Sequence, residues 1–279
     1  MNSWRIGEIA GIGIFVHWTF LILPLMIAGS ALSSGSGMAV AIQSVVFVLA
    51  IFGCVLLHEV GHALMARQFG IGTHRITLLP IGGLASLDRM PRNPWQEFAV
   101  AVAGPLVNVA IAAVLLTLII ATGMVSSLLS AAALSQSFML QLMWANVGLV
   151  IFNMLPAFPM DGGRVLRSLL GIFLSHSQAT QIAAGVGKVM AALFAILGIY
   201  SQHWMLVFIA VFIYFAGKAE AAAVQSQASM EGWRVADAMR TQFHLVPAGI
   251  TLDQAAQSLL FESQEDYPVV DNGQLVGML

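Results

Sequence analysis

The sequence predicts a polytopic α-helical membrane protein. It has six transmembrane helices, short membrane-associated β strands, and a small soluble α+β unit at the C-terminus. Three observations carry this. Of 279 residues, 59% are hydrophobic and only 9% are charged, against about 25% charged in soluble domains. Six apolar runs, at about 14–32, 39–66, 96–122, 136–156, 180–200 and 203–223, each approach the ~20 residues that a bilayer core requires. After the last run the character changes: seven of the thirteen acidic residues lie in 231–279.

The elements follow in order. Ahead of the first run, Ile12, Ile14 and Val16 alternate with Gly13 and Phe15, which reads as a short strand. A cleaved signal peptide over 1–30, suggested by the small residues Ala28-Gly29-Ser30-Ala31, is the weaker reading, because the region before the apolar core is long and strand-like. The second run holds no charged residue from Ala39 to Leu57. Between the second and third runs, Thr73, Ile76, Thr77, Ile81 and Leu84 favour extended structure. Pro80, Gly82, Gly83, Pro91 and Pro94 punctuate the segment, which predicts a hairpin or loop dipping towards the membrane. Pro156 and Pro159 end the fourth run, and a new helix restarts near Gly162. In the C-terminal unit, Thr251 and Gln254 form a capping box. Tyr267 to Val270, Asn272-Gly273 and Leu275-Val276 read as a hairpin with an Asn-Gly turn.

The basic residues set the orientation. They are Arg5, Arg67, Arg75, Arg89, Arg92, Arg164, Arg167, Lys188, Lys218, Arg234 and Arg240. With six spans and the N-terminus inside, all but Lys188 fall on or near the cytoplasmic side, and Lys188 can snorkel back to it. The external loops, at about 33–38, 123–135 and 201–202, contain none. The positive-inside rule therefore puts both termini in the cytoplasm. Trp4, Trp18, Trp95, Trp204 and Trp233 lie near the expected interfaces, as an aromatic belt would place them. The net charge of −2 points to neither nucleic acid nor an acidic partner, and the single cysteine, Cys54, excludes an intrachain disulfide and a Cys-based zinc cluster.

The chemistry concentrates in His58-Glu59-Val60-Gly61-His62, near the end of the second run. Residues i and i+4 share a helix face, so both imidazoles can grip one metal ion, and neutral imidazole suits Zn²⁺. Three ionisable groups within five residues of an intramembrane helix are costly without a function. Glu59 is placed to deprotonate a water as general base. Helix rise puts His58 about 29 Å from Ala39 and about 14 Å from Arg67, in or just below the inner leaflet, where water enters from the cytoplasm. A catalytic zinc takes three protein ligands. Asp161, at matching depth after Pro159, is the best third one; the alternative is that it merely caps the restarting helix. A bare carboxylate at that depth would cost about 2.5–3.5 kcal/mol, which favours the ligand. Glu97 is a weaker third ligand, near the interface.

Asn108 and Asn153 are buried amides placed to hold a substrate carbonyl or an oxyanion; helix-to-helix hydrogen bonding is the alternative for both. An extended substrate would pair along an edge of the Thr73–Leu87 segment or of the strand near Ile12–Val16. His17, His74, His176, His203 and His244 read as interface or solvent histidines. Two other function classes, a divalent-metal transporter and a catalytically idle scaffold, are weaker, because one ligand cluster makes no continuous path and a scaffold needs no free carboxylate beside its metal.

Together, His-Glu-Val-Gly-His at 58–62, Gly82-Gly83, Gly-Pro-Leu-Val-Asn at 104–108 and the Asn-x-x-Pro-x-x-Pro-x-Asp-Gly-Gly run at 153–163 resemble the site-2 proteases. That family of intramembrane zinc metalloproteases cleaves membrane-spanning segments. The resemblance covers about 1–225. It implies one Zn²⁺ per chain on His58, His62 and Asp161, Glu59 as catalytic base, and Asn108, Asn153, Gly82 and Gly83 beside the substrate. The implied substrate is a single-span or signal-anchored membrane protein, and the implied location is the plasma membrane of a prokaryotic cell. With no PDZ-like insertion after the zinc helix, the chain is similar to the six-span branch with a C-terminal cystathionine-β-synthase-type (CBS) domain. Residues 231–279 resemble the start of one CBS motif. Such motifs act in pairs, so the unit is expected either to pair across subunits into a homo-oligomer or to be part of a shortened chain; adenosine-nucleotide sensing would need the full pair.

Overall fold

The computed structural model of the chain describes residues 3–80, 82–89, 91, 93–123, 137–230, 232–239, 241–259, 264 and 266–279. Most of the external loop expected at about 123–135 lies outside the described residues, as do Ile81, Arg92, Arg240, Glu231, Glu262 and Glu265. The chain divides into two units, Met1–Ala228 and Ser229–Leu279.

The first unit opens with a hairpin of β1 (Ser3–Ile9) and β2 (Ile12–His17), turned at Ala10-Gly11, both of which have positive φ. A 3-10 turn at Trp18–Leu21 leads into α1 (Ile22–Ser33) and then α2 (Gly37–Gln68). A second hairpin follows, β3 (Thr73–Leu79) and β4 (Gly82–Leu87), as the segment's extended-favouring residues and Gly82-Gly83 predict. The four strands form one sheet in the order β1-β2-β3-β4, with β2 and β3 parallel across the intervening helices. The sheet lies on α2 through Ile12 and Ile76 packed with Val60 and Ala63, and through Leu78 packed with Phe20 and Phe52.

Among the described residues five helices complete the unit: α3 (Pro94–Ala121), α4 (Phe138–Asn153), the short α5 (Asp161–Leu170), α6 (His176–Tyr200) and α7 (Trp204–Met230), the last residues of which pass the unit boundary. Asn93 caps α3 by accepting from the Trp95 amide, with Pro94 in the first turn, where its missing N–H leaves nothing unsatisfied. A capping box of Ser175 and Gln178 starts α6.

Among the described residues, four helices are long and apolar enough to cross a membrane: α2, α3, α6 and α7. The first and fourth expected spans are shorter than the sequence suggests. Residues 14–17 belong to β2, so the expected run at 14–32 yields an α1 of 12 residues, about 18 Å. The run at 136–156 yields an α4 of 16 residues, because Pro156 and Pro159 follow and the chain winds through turns from 154 to 160. The strand near Ile12–Val16, expected as one of two edges for a substrate, offers no open edge, since β2 has β1 on one side and β3 on the other.

The second unit holds a three-stranded sheet, β5 (Val246–Pro247), β6 (Pro268–Asp271) and β7 (Gln274–Met278), with β5 and β6 parallel and β6 and β7 antiparallel. Before its strands comes the single turn α8 (Val235–Ala238), and between β5 and β6 lies α9 (Leu252–Leu259). The Thr251–Gln254 capping box forms in both directions. Asn272 and Gly273 both take positive φ at the hairpin tip, the conformation that an Asn-Gly turn supplies. Val246, Ala255 and Tyr267 form the core.

Candidate metal centre

The two histidines face α3 because α2 and α3 approach closely there. A Cβ at Gly61 would lie 2.7 Å from Val107 Cγ2 and 2.9 Å from the Ala103 carbonyl oxygen, so glycine within the His-Glu-Val-Gly-His run permits the contact. Asp161 is the first residue of α5. The tight winding that brings it in depends on two further glycines. A Cβ at Gly162 would fall 2.3 Å from the Leu155 carbonyl oxygen, and one at Gly163 would fall 2.7 Å from the Ala157 carbonyl carbon.

The result is a buried triangle of donor atoms. His58 Nε2 and His62 Nε2 are 3.0 Å apart. Asp161 Oδ2 stands 3.0 Å from the first and 3.2 Å from the second. Tetrahedral ligands about 2.0–2.2 Å from zinc lie roughly 3.3–3.6 Å from one another, so the set needs only a slight expansion to hold the ion. All three residues are buried, and among the described residues this is the one group of His, Cys, Asp and Glu side chains placed to hold a metal.

The hydrogen bonds behind the triangle aim it. His58 Nδ1–H donates to Asn108 Oδ1 at 2.5 Å, and His62 Nδ1–H donates to the Val100 carbonyl oxygen at 2.6 Å. Assigned this way, both rings are neutral with the Nε2 lone pairs turned inward, as metal-ligating imidazoles require. The Asn108 amide nitrogen donates to Asn146 Oδ1 at 2.8 Å. Asn146 in turn donates to the Leu142 carbonyl oxygen and to Cys54 Sγ. Asn108, expected from the sequence beside the substrate or in helix-to-helix hydrogen bonding, is fully buried, with its amide oxygen on His58 and its amide nitrogen on Asn146 of α4. Asn108→Ala is expected to weaken metal binding about tenfold or more, read by competition with a chromophoric chelator.

Glu59 is half-buried on α2 and lies against the first residues of β4. A Cβ at Gly83 would fall 2.5 Å from Glu59 Cγ. Gly82 needs glycine for another reason, its φ of 139°. Glu59 is thus outside the donor triangle.

Asn153, half-buried, ends α4 eight positions ahead of Asp161, and among the described residues no hydrogen bond links it to the three donors. Glu97, the weaker third ligand, is excluded from the centre: it is buried in an ion pair with Arg167. His74 is exposed and pairs with Asp88 at 2.6 Å, and His17 caps the 3-10 turn through Thr19. Sequence reasoning missed Asn146 and Val100. Asn146 does leave a signal, since an amide in the middle of an apolar run has to find a partner.

The pattern of Peptidase family M50 matches residues 46–197, a stretch that includes both histidines and Asp161. The chain is 33% identical to a zinc metalloprotease of Methanocaldococcus jannaschii over 277 residues, covering 99% of this chain and 78% of that protein. It is 31% identical to Rip3 of Mycobacterium tuberculosis over 294 residues, covering 98% of this chain and 73% of that protein. The solved structure of a site-2 protease from Methanocaldococcus jannaschii superposes with a TM-score of 0.57 at 34% identity, covering 78% of this chain and 95% of that chain.

Proposed function

Because the chain belongs to peptidase family M50 and is a zinc metalloprotease of site-2 protease type, we propose that it hydrolyses peptide bonds within or near the transmembrane segments of membrane-anchored proteins. The observation that carries this is the donor triangle, built from residues about a hundred positions apart on two helices and buried beside apolar spans. His58, His62 and Asp161 would hold the zinc, and their donor chemistry of two neutral imidazoles and one carboxylate matches a hydrolytic site. Zinc bound there polarises the scissile carbonyl and acidifies a water.

The chain's own residues do the rest. Glu59 takes a proton from the attacking water and hands it to the leaving nitrogen as the C–N bond breaks. A membrane helix hides its peptide bonds in its own hydrogen bonds, so the substrate unwinds locally and is held extended. The outer edge of β4 suits this. Among the described residues no strand pairs with it, and at Gly83 it lies against Glu59. A substrate strand added there would run beside the base.

In this reading the apolar helical stretch Trp18–Ser33 and α4 would be the first and fourth of six crossings, with both termini in the cytoplasm as the basic residues favour. Residues 231–279 would be the start of a CBS-type motif that pairs with a second copy.

The test measures zinc content and cleavage of a single-span test substrate by the full chain, with and without a zinc chelator. One zinc per chain and chelator-sensitive cleavage are expected. Cleavage that survives complete removal of zinc would overturn the reading.

A further inference from the structure

Buried Glu97 and Arg167, with the half-exposed Glu220, form an ionic cluster that the hydrolytic chemistry does not use. Arg167, on α5, is 2% exposed. Its Nε donates to Glu97 Oε1 at 2.7 Å, and its second terminal nitrogen lies 2.6 Å from that same oxygen. Its remaining terminal nitrogen donates to Glu220 Oε1 at 2.6 Å. The guanidinium carbon sits 5.1 Å from the centre of the Phe158 ring. Arg167 therefore ties four pieces of chain together: the first turn of α3, α5, the middle of α7, and the turn segment that delivers Asp161.

We propose that Arg167 is a positioning residue for the metal centre, clamping α5 between α3 and α7 so that Asp161 is held against His58 and His62. The inference rests on the zinc-metalloprotease reading above. Asp161 is the one donor that does not come from α2, so its distance to the histidines depends on where α5 sits. The start of α5 is not fixed by a side-chain cap, since Met160 makes no capping hydrogen bond. Arg167 lies about 9 Å further along the helix axis, and α5 has only 10 residues, so holding its second turn holds its first. Phe158, buried and three residues before Asp161, packs against the same guanidinium. A purely apolar contact could stabilise these helices as well. What the planar guanidinium adds is fixed direction and distance to three partners.

The experiment uses the full chain in detergent and compares Arg167→Met, Arg167→Met with Glu97→Gln, Arg167→Lys, and Ile119→Ala. Ile119 is fully buried between α3 and α4, so its truncation destabilises the fold without touching the clamp. Two quantities are read: zinc affinity by chelator competition, and the Tm of the metal-stripped protein. The double variant removes the unpaired buried Glu97 charge and guards against failure to fold. Both Arg167→Met variants are expected to bind zinc at least tenfold more weakly than wild type. Arg167→Lys should recover part of the loss, and Ile119→Ala should lower Tm with zinc affinity unchanged. A double variant that binds zinc as wild type does would overturn the clamp, as would an equal loss of affinity in Ile119→Ala. Wild-type protein that takes up no zinc would overturn the metalloprotease reading itself, and the clamp with it.

Discussion

Glu59→Gln is expected to leave zinc bound at full stoichiometry while slowing cleavage by about 10²–10⁴-fold, whereas His58→Ala should lose both zinc and cleavage. The separation follows from geometry. Glu59 is one residue past His58, about 100° further round α2, and is turned towards β4 rather than into the donor triangle. Glutamine has nearly the same size and helix propensity, so α2 and the contact at Gly83 are preserved. What is removed is the ability to take a proton from water and return it to the leaving nitrogen. Zinc analysis and turnover of a single-span substrate, measured on the same preparations, check this. Wild-type turnover in Glu59→Gln would remove the general-base role, and loss of zinc from that variant would place Glu59 among the ligands.

The parts of this centre that are local in sequence are legible in the sequence itself. His58 and His62 announce themselves because helical spacing is a property of five consecutive residues. Asp161 stands out because a carboxylate after two prolines in an apolar context demands a partner. The second hairpin is legible from Thr73, Ile76 and Thr77 followed by Gly82-Gly83, and the C-terminal turn from Asn272-Gly273. The first hairpin is half legible. Ile12 to Val16 read as a strand, but an apolar stretch does not say where strand stops and helix begins. Residues 14–17 therefore read as part of a span, whereas they pair with β1 and β3.

What escapes is non-local. Arg167 reads as one more basic residue on the cytoplasmic side, and Glu97 as an interfacial carboxylate; only the fold, bringing together residues 70 positions apart, pairs them. Asn108 stands out as a buried amide, but its partners His58 and Asn146 lie 50 and 38 positions away, so the bonds it makes have no local trace. Gly61 occupies a position in the zinc motif where the motif itself asks for nothing, and its necessity comes from the Ala103 backbone of another helix.

Gly104→Ala is expected to damage the centre directly, by placing one methyl group among its donor atoms. On α3, Val100, Gly104 and Asn108 are spaced four residues apart and share one face. The outer two hold the Nδ1 atoms of His62 and His58. The middle one has no side chain, and the two Nε2 atoms converge over it. A Cβ at 104 would lie 2.2 Å from His62 Nε2 and 2.7 Å from His58 Nε2, well inside contact distance. The rings cannot swing aside without breaking their hydrogen bonds to the same helix. Alanine raises helix propensity over glycine by about 0.8–1 kcal/mol, so α3 itself gains, and any loss must come from the site. Overpacking of this kind costs about 1–3 kcal/mol, equivalent to about 5- to 150-fold weaker zinc binding at 1.4 kcal/mol per decade, with cleavage falling in step at limiting zinc. Chelator competition on Gly104→Ala beside Glu59→Gln separates the two effects: the first should lose affinity and regain turnover as zinc is raised, and the second should do neither. Wild-type zinc affinity in Gly104→Ala would mean that the bound ion does not lie between α2 and α3, and the donor triangle would no longer be its site.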